Sequence, residues 1–183
     1  MFDGRTGAAA AVEGLPGVRR SAVLAAFYEI GGTTHVLCTR RSWNLRTHRG
    51  EVSFPGGGED PTDPSLEHTA LREACEEVAL DPSSVRVLGE LDHLTTVTSD
   101  RFIVPFVATL PEPPSSLIAQ PTEVEAILHV SIPELLDPEA YREERWGPPE
   151  IDHPVSFFEV EGDTIWGATA AMLRQFLILS LLG

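Results

Sequence analysis

Hydrophobic positions recur along this chain with two periods, and the switches between them mark out its elements. Residues 21–30 (SAVLAAFYEI) and 33–40 (TTHVLCTR) are apolar runs joined by Gly31 and Gly32, which predicts a β-hairpin with a two-residue turn. From residue 71 the period lengthens: Leu71, Ala74, Cys75 and Val78 fall at i, i+3, i+4 and i+7, the stripe of an amphipathic helix. Asp63 is the expected N-cap of that helix, with Pro64 at its first position, where the missing N–H costs nothing. Residues 84–91 and 102–110 read as strands linked by the hydroxyl-rich segment 92–101. The Pro-rich stretch 111–121 is a connector, 123–130 a strand, and 132–136 a short helix capped by Ser131. Residues 141–154 read as irregular and charged. A second hairpin pairs 155–160 with 164–166 around Gly162 and Asp163. Residues 167–182 form a closing helix with Ala170, Leu173, Phe176, Leu177 and Leu181 on its apolar side. This order of elements predicts an α/β fold with helices on both faces of a mixed sheet.

A chain of 183 residues suits one domain, placed at 21–183, with no internal repeat. Residues 1–20, rich in Gly, Ala and Arg and without a period, read as a flexible arm. No basic stretch followed by a long apolar core opens the chain, and the longest apolar run, 176–182, is far short of a membrane span. A cytoplasmic setting is expected.

Charge narrows the partners. A formal net charge of −15 excludes a general nucleic-acid or membrane-surface binder, which needs a basic footprint. All thirteen basic residues are arginine, and Arg40, Arg41, Arg46 and Arg49 lie close together. Arginine's planar fork grips phosphate in bidentate fashion, so the cluster is a candidate phosphate clamp; pairing with the chain's own acids is the other use for it. The two cysteines, Cys38 in a strand and Cys75 on the apolar helix face, have no metal or disulfide spacing and are expected to be small buried hydrophobes.

The stretch 54–80, FPGGGEDPTDPSLEHTALREACEEVAL, concentrates the chemistry. Glu73, Glu76 and Glu77 stand at i, i+3 and i+4 and so share a helix face. Three adjacent carboxylates repel unless a cation neutralises them, and a solvated acidic face is the plain alternative. A glycine-rich turn feeds straight into this helix, and Arg72 is within reach of Glu76 at i+4.

Gly57, Asp63 and the run from Arg72 through Leu80 resemble the Nudix box, G-x5-E-x7-R-E-U-x-E-E-x-G-U with U aliphatic, of hydrolases that cleave a nucleoside diphosphate linked to another moiety. Asp63 stands where Glu is usual, the interval to Arg72 is one residue longer, and Ala79 replaces the closing Gly. Upstream, Leu37, Thr39, Arg41, Ser42, Arg46, Gly50, Phe54, Pro55, Gly56 and Gly57 resemble the extra motif of the coenzyme A pyrophosphatase branch, with Cys38 interposed. Together the two motifs cover about a quarter of the chain.

The resemblance implies a Nudix-type α/β/α sandwich and hydrolysis of coenzyme A or its derivatives to 4′-phosphopantetheine and adenosine 3′,5′-bisphosphate. Other dinucleotides, ADP-ribose or NADH, are the alternative substrates, and an inactive nucleotide-binding protein is the third reading. Pyrophosphate hydrolysis needs charge neutralisation and a placed water, which a hard divalent cation, Mg²⁺ or Mn²⁺, supplies on oxygen ligands. Glu73 and Glu77 are the expected ligands, then Glu76, with the carbonyl around Gly57 as a fourth donor and Arg72 orienting a carboxylate. Glu76 and Glu123 are the candidates for general base. Arg41, Arg46, His48, Arg49 and Gly57 are the expected substrate contacts. The apolar closing helix and Trp166 serve either the core or a homodimer.

Overall fold

The computed structural model describes residues 18–95, 101–148, 150 and 152–182. Strand β1 (Arg19–Ile30) runs through its centre, and the alternation of its side chains divides two hydrophobic cores. Ala22, Leu24, Ala26 and Tyr28 face one core, Ala25 and Phe27 the other. A strand buried on both sides reads as one continuous apolar run, which is why 21–30 shows so little polar interruption.

Gly31 and Gly32, at φ 58° and 81°, turn β1 into β2 (Thr33–Arg41). That two-residue turn needs positive φ at both positions, and its twist matches the strands it joins. Two short strands follow, β3 (Val52–Ser53) on β2 and β4 (Gly56–Gly58) on β1, before helix α1 (Leu66–Val78). A single 3₁₀ turn, Pro82–Ser84, leads to β5 (Arg86–Glu90), β6 (Leu94–Thr95) and β7 (Arg101–Thr109). Strand β7 lies parallel to β1, from Arg19 opposite Arg101 to Phe27 opposite Thr109, while β5 and β6 pair antiparallel with β7. Strand β8 (Val124–Ser131) adds antiparallel to β2 and runs into the short α2 (Ile132–Leu135), capped by Ser131.

Helix α1 closes the first core with Leu66, Ala70, Ala74 and Val78. The second is closed by α3 (Gly167–Leu182), through Ala170, Met172, Leu173 and Leu177, and by a separate three-stranded antiparallel sheet. That sheet comprises β9 (Tyr141–Trp146), β10 (His153–Val160) and β11 (Asp163–Trp166), and sends Phe158 and Ile165 inward. The expected mixed sheet with helices on both faces is therefore present, with the small sheet as an addition to it.

Several local expectations are corrected. Residues 141–146, read as irregular because of their charges, are strand β9: Arg142 and Glu144 on one face and Glu143 and Arg145 on the other are all exposed, so no apolar alternation marked the strand. Arg19 and Arg20, assigned to the arm, belong to β1, and residues 1–17 lie outside the described residues. The linker 92–101 contains β6 and the start of β7; its residues 96–100 lie outside the described residues. Cys38 is buried as expected, but Cys75 is exposed, because the buried side of α1 is centred on Ala70 and Ala74 and turns away from it. Leu181 is 72% exposed rather than packed.

Candidate active site

The N-cap of helix α1 lies two residues beyond the expected Asp63. Ser65, in extended backbone, accepts the His68 backbone N–H at 3.1 Å and is the N-cap. Asp63 is freed for a different task. Its side chain is 1% exposed and accepts from Arg72 Nε at 3.1 Å and Nη2 at 3.0 Å, from the Thr69 hydroxyl at 2.8 Å and from the Asp60 N–H at 2.9 Å. The Arg72 hydrogen bonds hold the Asp63 carboxyl well below the usual carboxylate range, against the opposing effect of its burial.

Arg72 spends the rest of its fork on the site. It donates to the Gly58 carbonyl at 3.0 Å, to Glu73 Oε1 at 3.0 Å and to Glu76 Oε2 at 3.1 Å. One guanidinium thus ties the loop before the helix to two of the helix acids. Glu73 lies directly over Gly57: a Cβ at position 57 would stand 2.5 Å from Glu73 Cδ, so only glycine leaves the carboxylate its place. Burial raises the Glu73 pKa, and Arg72 works against it.

Glu77 is the anomalous group. It is 3% exposed, and its Oε2 has no hydrogen-bond partner among the described residues. Burial pushes its pKa up to about 8; Arg41 and the Gly56 backbone N–H oppose the shift, while Glu73 and Glu123 add to it. A buried carboxylate oxygen with nothing to accept from is costly unless a cation completes it. Glu123 reaches this group because the Ser42 N–H donates to its carbonyl at 2.8 Å, tying the start of β8 to the end of β2. The C-terminal end of α1 is held in the same region: Ala79 adopts the left-handed cap at φ 55°, and the Ile118 and Gln120 N–H groups donate to the Val78 and Glu77 carbonyls at 3.0 and 2.8 Å.

The structure therefore gathers Arg41, Gly57, Arg72, Glu73, Glu77 and Glu123 in one place. Glu76 stands at its rim, with a side chain 60% exposed and bound to Arg72. The other expected contacts disperse. Strand alternation sends Arg40 to the opposite face of β2 from Arg41, where it pairs with Asp163 at 2.7 and 2.5 Å. Arg46 is exposed, His48 bonds Glu51 at 2.9 Å, and Arg49 Nε bonds the Leu45 carbonyl. Arg49, Gly50 and Glu51 instead line a cleft of about 570 Å³ with the β10–β11 hairpin, which none of the helix acids borders. Asp63 as the partner of Arg72 was not legible in the sequence, since a contact nine residues apart across a loop obeys no helical period.

Among the described residues, no three His, Cys, Asp or Glu side chains converge to hold an ion. Arg72 occupies the facing oxygens of Glu73 and Glu76, which leaves the unsatisfied Glu77 Oε2, the second oxygen of Glu73 and neighbouring backbone oxygens as the donor set. This all-oxygen, incompletely closed set fits a hard divalent cation that retains water ligands.

A sequence profile of the NUDIX domain matches residues 18–149. The uncharacterized Nudix hydrolase NudL of Photorhabdus laumondii is 41% identical over 140 residues, covering 76% of this chain and 74% of that one. The NudL of Pectobacterium atrosepticum is 38% identical over 151 residues, covering 80% and 75%. Among solved structures, the Nudix hydrolase RenU from M. smegmatis aligns at TM-score 0.54 and 18% identity over 66% of this chain and 74% of its own. The NUDIX domain of Shewanella oneidensis NrtR, complexed with ADP ribose, aligns at 0.52 and 20% over 68% and 79%. At these identities the structures speak for the fold alone.

Proposed function

The chain belongs to the Nudix hydrolase family, and from that premise we propose that it is a divalent-metal-dependent pyrophosphatase of coenzyme A or its derivatives. The observation that carries the metal dependence is the buried, unpartnered Oε2 of Glu77 beside Glu73 and Glu123. Substrate choice rests on the upstream run from Leu37 to Gly57, whose Arg41 meets the site.

Glu73 and Glu77 would hold Mg²⁺ or Mn²⁺, with Glu76 and Glu123 at the periphery. When bound, such a cation supplies Lewis acidity toward the phosphoanhydride and lowers the pKa of coordinated water. The chain's own residues do the positioning. Arg72 fixes Glu73 against Gly57, and Asp63 fixes Arg72, so the carboxylate is oriented before any ligand arrives. Arg41, on the helix-facing side of β2, offers a guanidinium to the pyrophosphate charge next to Glu77. Of the two candidates for the base we favour Glu123, whose charge reaches Glu77, over Glu76, which is ion-paired to Arg72 at the rim. The substrate is a small molecule taken up from solution; no helix of the described residues is long and apolar enough to cross a membrane.

A turnover panel of coenzyme A, acetyl-coenzyme A, ADP-ribose and NADH with Mg²⁺ and Mn²⁺ tests this reading. The highest kcat/KM is expected for a coenzyme A species, with 4′-phosphopantetheine (or its acylated form) and adenosine 3′,5′-bisphosphate as products. Preference for ADP-ribose or NADH would replace the substrate while keeping the chemistry; nucleotide binding without hydrolysis of any would remove the chemistry as well.

A further inference from the structure

The charged groups around Glu77 come from three segments, and a continuous chain of backbone hydrogen bonds joins those segments. The last turn of α1 leaves carbonyls without helical partners. The Pro-rich connector supplies two donors: the Ile118 N–H meets the Val78 carbonyl at 3.0 Å, and the Gln120 N–H meets the Glu77 carbonyl at 2.8 Å. The Gln120 carbonyl in turn accepts the Glu123 N–H at 2.9 Å and the Val124 N–H at 2.8 Å. Glu123 carries the chain onward, since its own carbonyl accepts the Ser42 N–H at 2.8 Å. Glu77, Glu123 and the residue beside Arg41 are thus fixed to one another through the main chain alone.

Two features set where Glu123 enters this arrangement. The first is a turn over residues 120–123, closed by the bond from the Glu123 N–H to the Gln120 carbonyl, with Pro121 at its second position. The pyrrolidine ring holds φ at about −65° there, so the turn is largely formed before it closes. Pro121 is itself exposed and belongs to neither core, so its worth lies in the turn. The second feature is a break in the β2–β8 ladder. Thr39 and Arg40 lie opposite Ile127 and Ala126, but Arg41 lies opposite Val124, which makes Glu125 the extra residue of a bulge. An unbroken ladder would set Ser42 opposite Val124. The bulge brings Glu123 to Ser42 instead.

We propose that Pro121 is a positioning residue for the hydrolysis: through the turn it begins, it holds the Glu123 carboxylate where a base must stand relative to Glu77. The inference rests on the reading of Glu123 as the base. A base works only within hydrogen-bond reach of the water it deprotonates, and a displacement of about 1 Å costs up to about a hundredfold in rate. Loosening the turn slows the reaction and leaves substrate capture alone.

A double-mutant cycle, run on whichever dinucleotide the wild type turns over best, tests this. Pro121→Gly is expected to lower kcat about tenfold with KM unchanged and Tm lower by a few degrees, and Pro121→Ala, which frees the turn less, should fall between it and the wild type. In Glu123→Gln the same glycine substitution should have no further effect on kcat, because the group it displaces no longer takes the proton. Amide exchange gives a readout without turnover. The Glu123 and Val124 N–H groups should exchange about tenfold faster in Pro121→Gly, while the Ala79 N–H, held by the Cys75 carbonyl, keeps its rate. An unchanged kcat in Pro121→Gly, an equal loss in both Glu123 backgrounds, or unaltered exchange at Glu123 overturns the proposal and leaves the function standing. A wild type that hydrolyses no dinucleotide overturns the function and the proposal with it.

Discussion

Glu77 shows how much one residue's surroundings add to its position in sequence. Spacing alone put Glu73, Glu76 and Glu77 on one helix face, and that much was legible because 3.6 residues per turn leaves no other arrangement. Their separation into three different states was not legible. Glu77 is buried without a partner, Glu73 is clamped between Arg72 and Gly57, and Glu76 is exposed at the rim. The difference comes from Arg72, Asp63 and Glu123, which approach from other segments. Gly57 gives the sharpest test at this scale. Gly57→Ala would place a Cβ 2.5 Å from the Glu73 carboxyl carbon and push that carboxylate aside. Activity should fall about ten- to a hundredfold, the usual cost of misorienting a ligand's support, with the fold retained. Steady-state kinetics beside a thermal melt would check it, and wild-type kcat/KM in Gly57→Ala would show that Glu73 needs no such cradle.

At the scale of the element, helix α1 carries two features that a stability measurement can read. Ala79 ends the helix at φ 55° and ψ 31°, the left-handed cap that glycine occupies without penalty, and the chain has alanine where the Nudix box usually has glycine. The strain of a left-handed alanine is about 1–2 kcal/mol, and the greater freedom of glycine in the unfolded chain offsets part of it. Ala79→Gly should therefore stabilise the protein by about 0.5–1 kcal/mol, raising Tm by a few degrees at this chain length. An unchanged or lower Tm would contradict that balance. The start of the helix gives a pH dependence. Asp63 has its folded pKa depressed by Arg72, so it contributes stability above its unfolded pKa that is lost as the pH falls through the folded value. Asp63→Asn should melt earlier at pH 7 and lose less stability than the wild type on acidification below about pH 4. Parallel acid limbs in the two proteins would place the wild-type acid sensitivity elsewhere. Ser65 and Asp63 both look like caps in the sequence; only the demand of Arg72, nine residues on, decides between them.

At the scale of the whole molecule, the fold class was legible because β1 alternates between two cores and helical stripes follow on either side of it. The three-stranded sheet was only half legible: its hairpin showed, but β9 was hidden by exposed charges on both of its faces. That sheet and α3 lie largely beyond the matched NUDIX residues 18–149, yet they close the second core with Phe158, Ile165, Ala170, Met172, Leu173 and Leu177. Burial of these side chains is worth on the order of 10 kcal/mol, comparable to the net stability of a typical domain. A chain truncated after residue 149 should thus fail to fold cooperatively. A sigmoidal melt of the soluble truncated protein would show that the first core stands alone.

Cation binding at the unsatisfied Glu77 Oε2 is tested most directly by one comparison: mass-resolved turnover of coenzyme A with Mg²⁺ by the wild type and by Glu77→Gln, which keeps the shape and removes the charge. The wild type should yield 4′-phosphopantetheine and adenosine 3′,5′-bisphosphate, and Glu77→Gln should be slower by about a hundredfold or more while melting no earlier. Equal rates from the two proteins would contradict it.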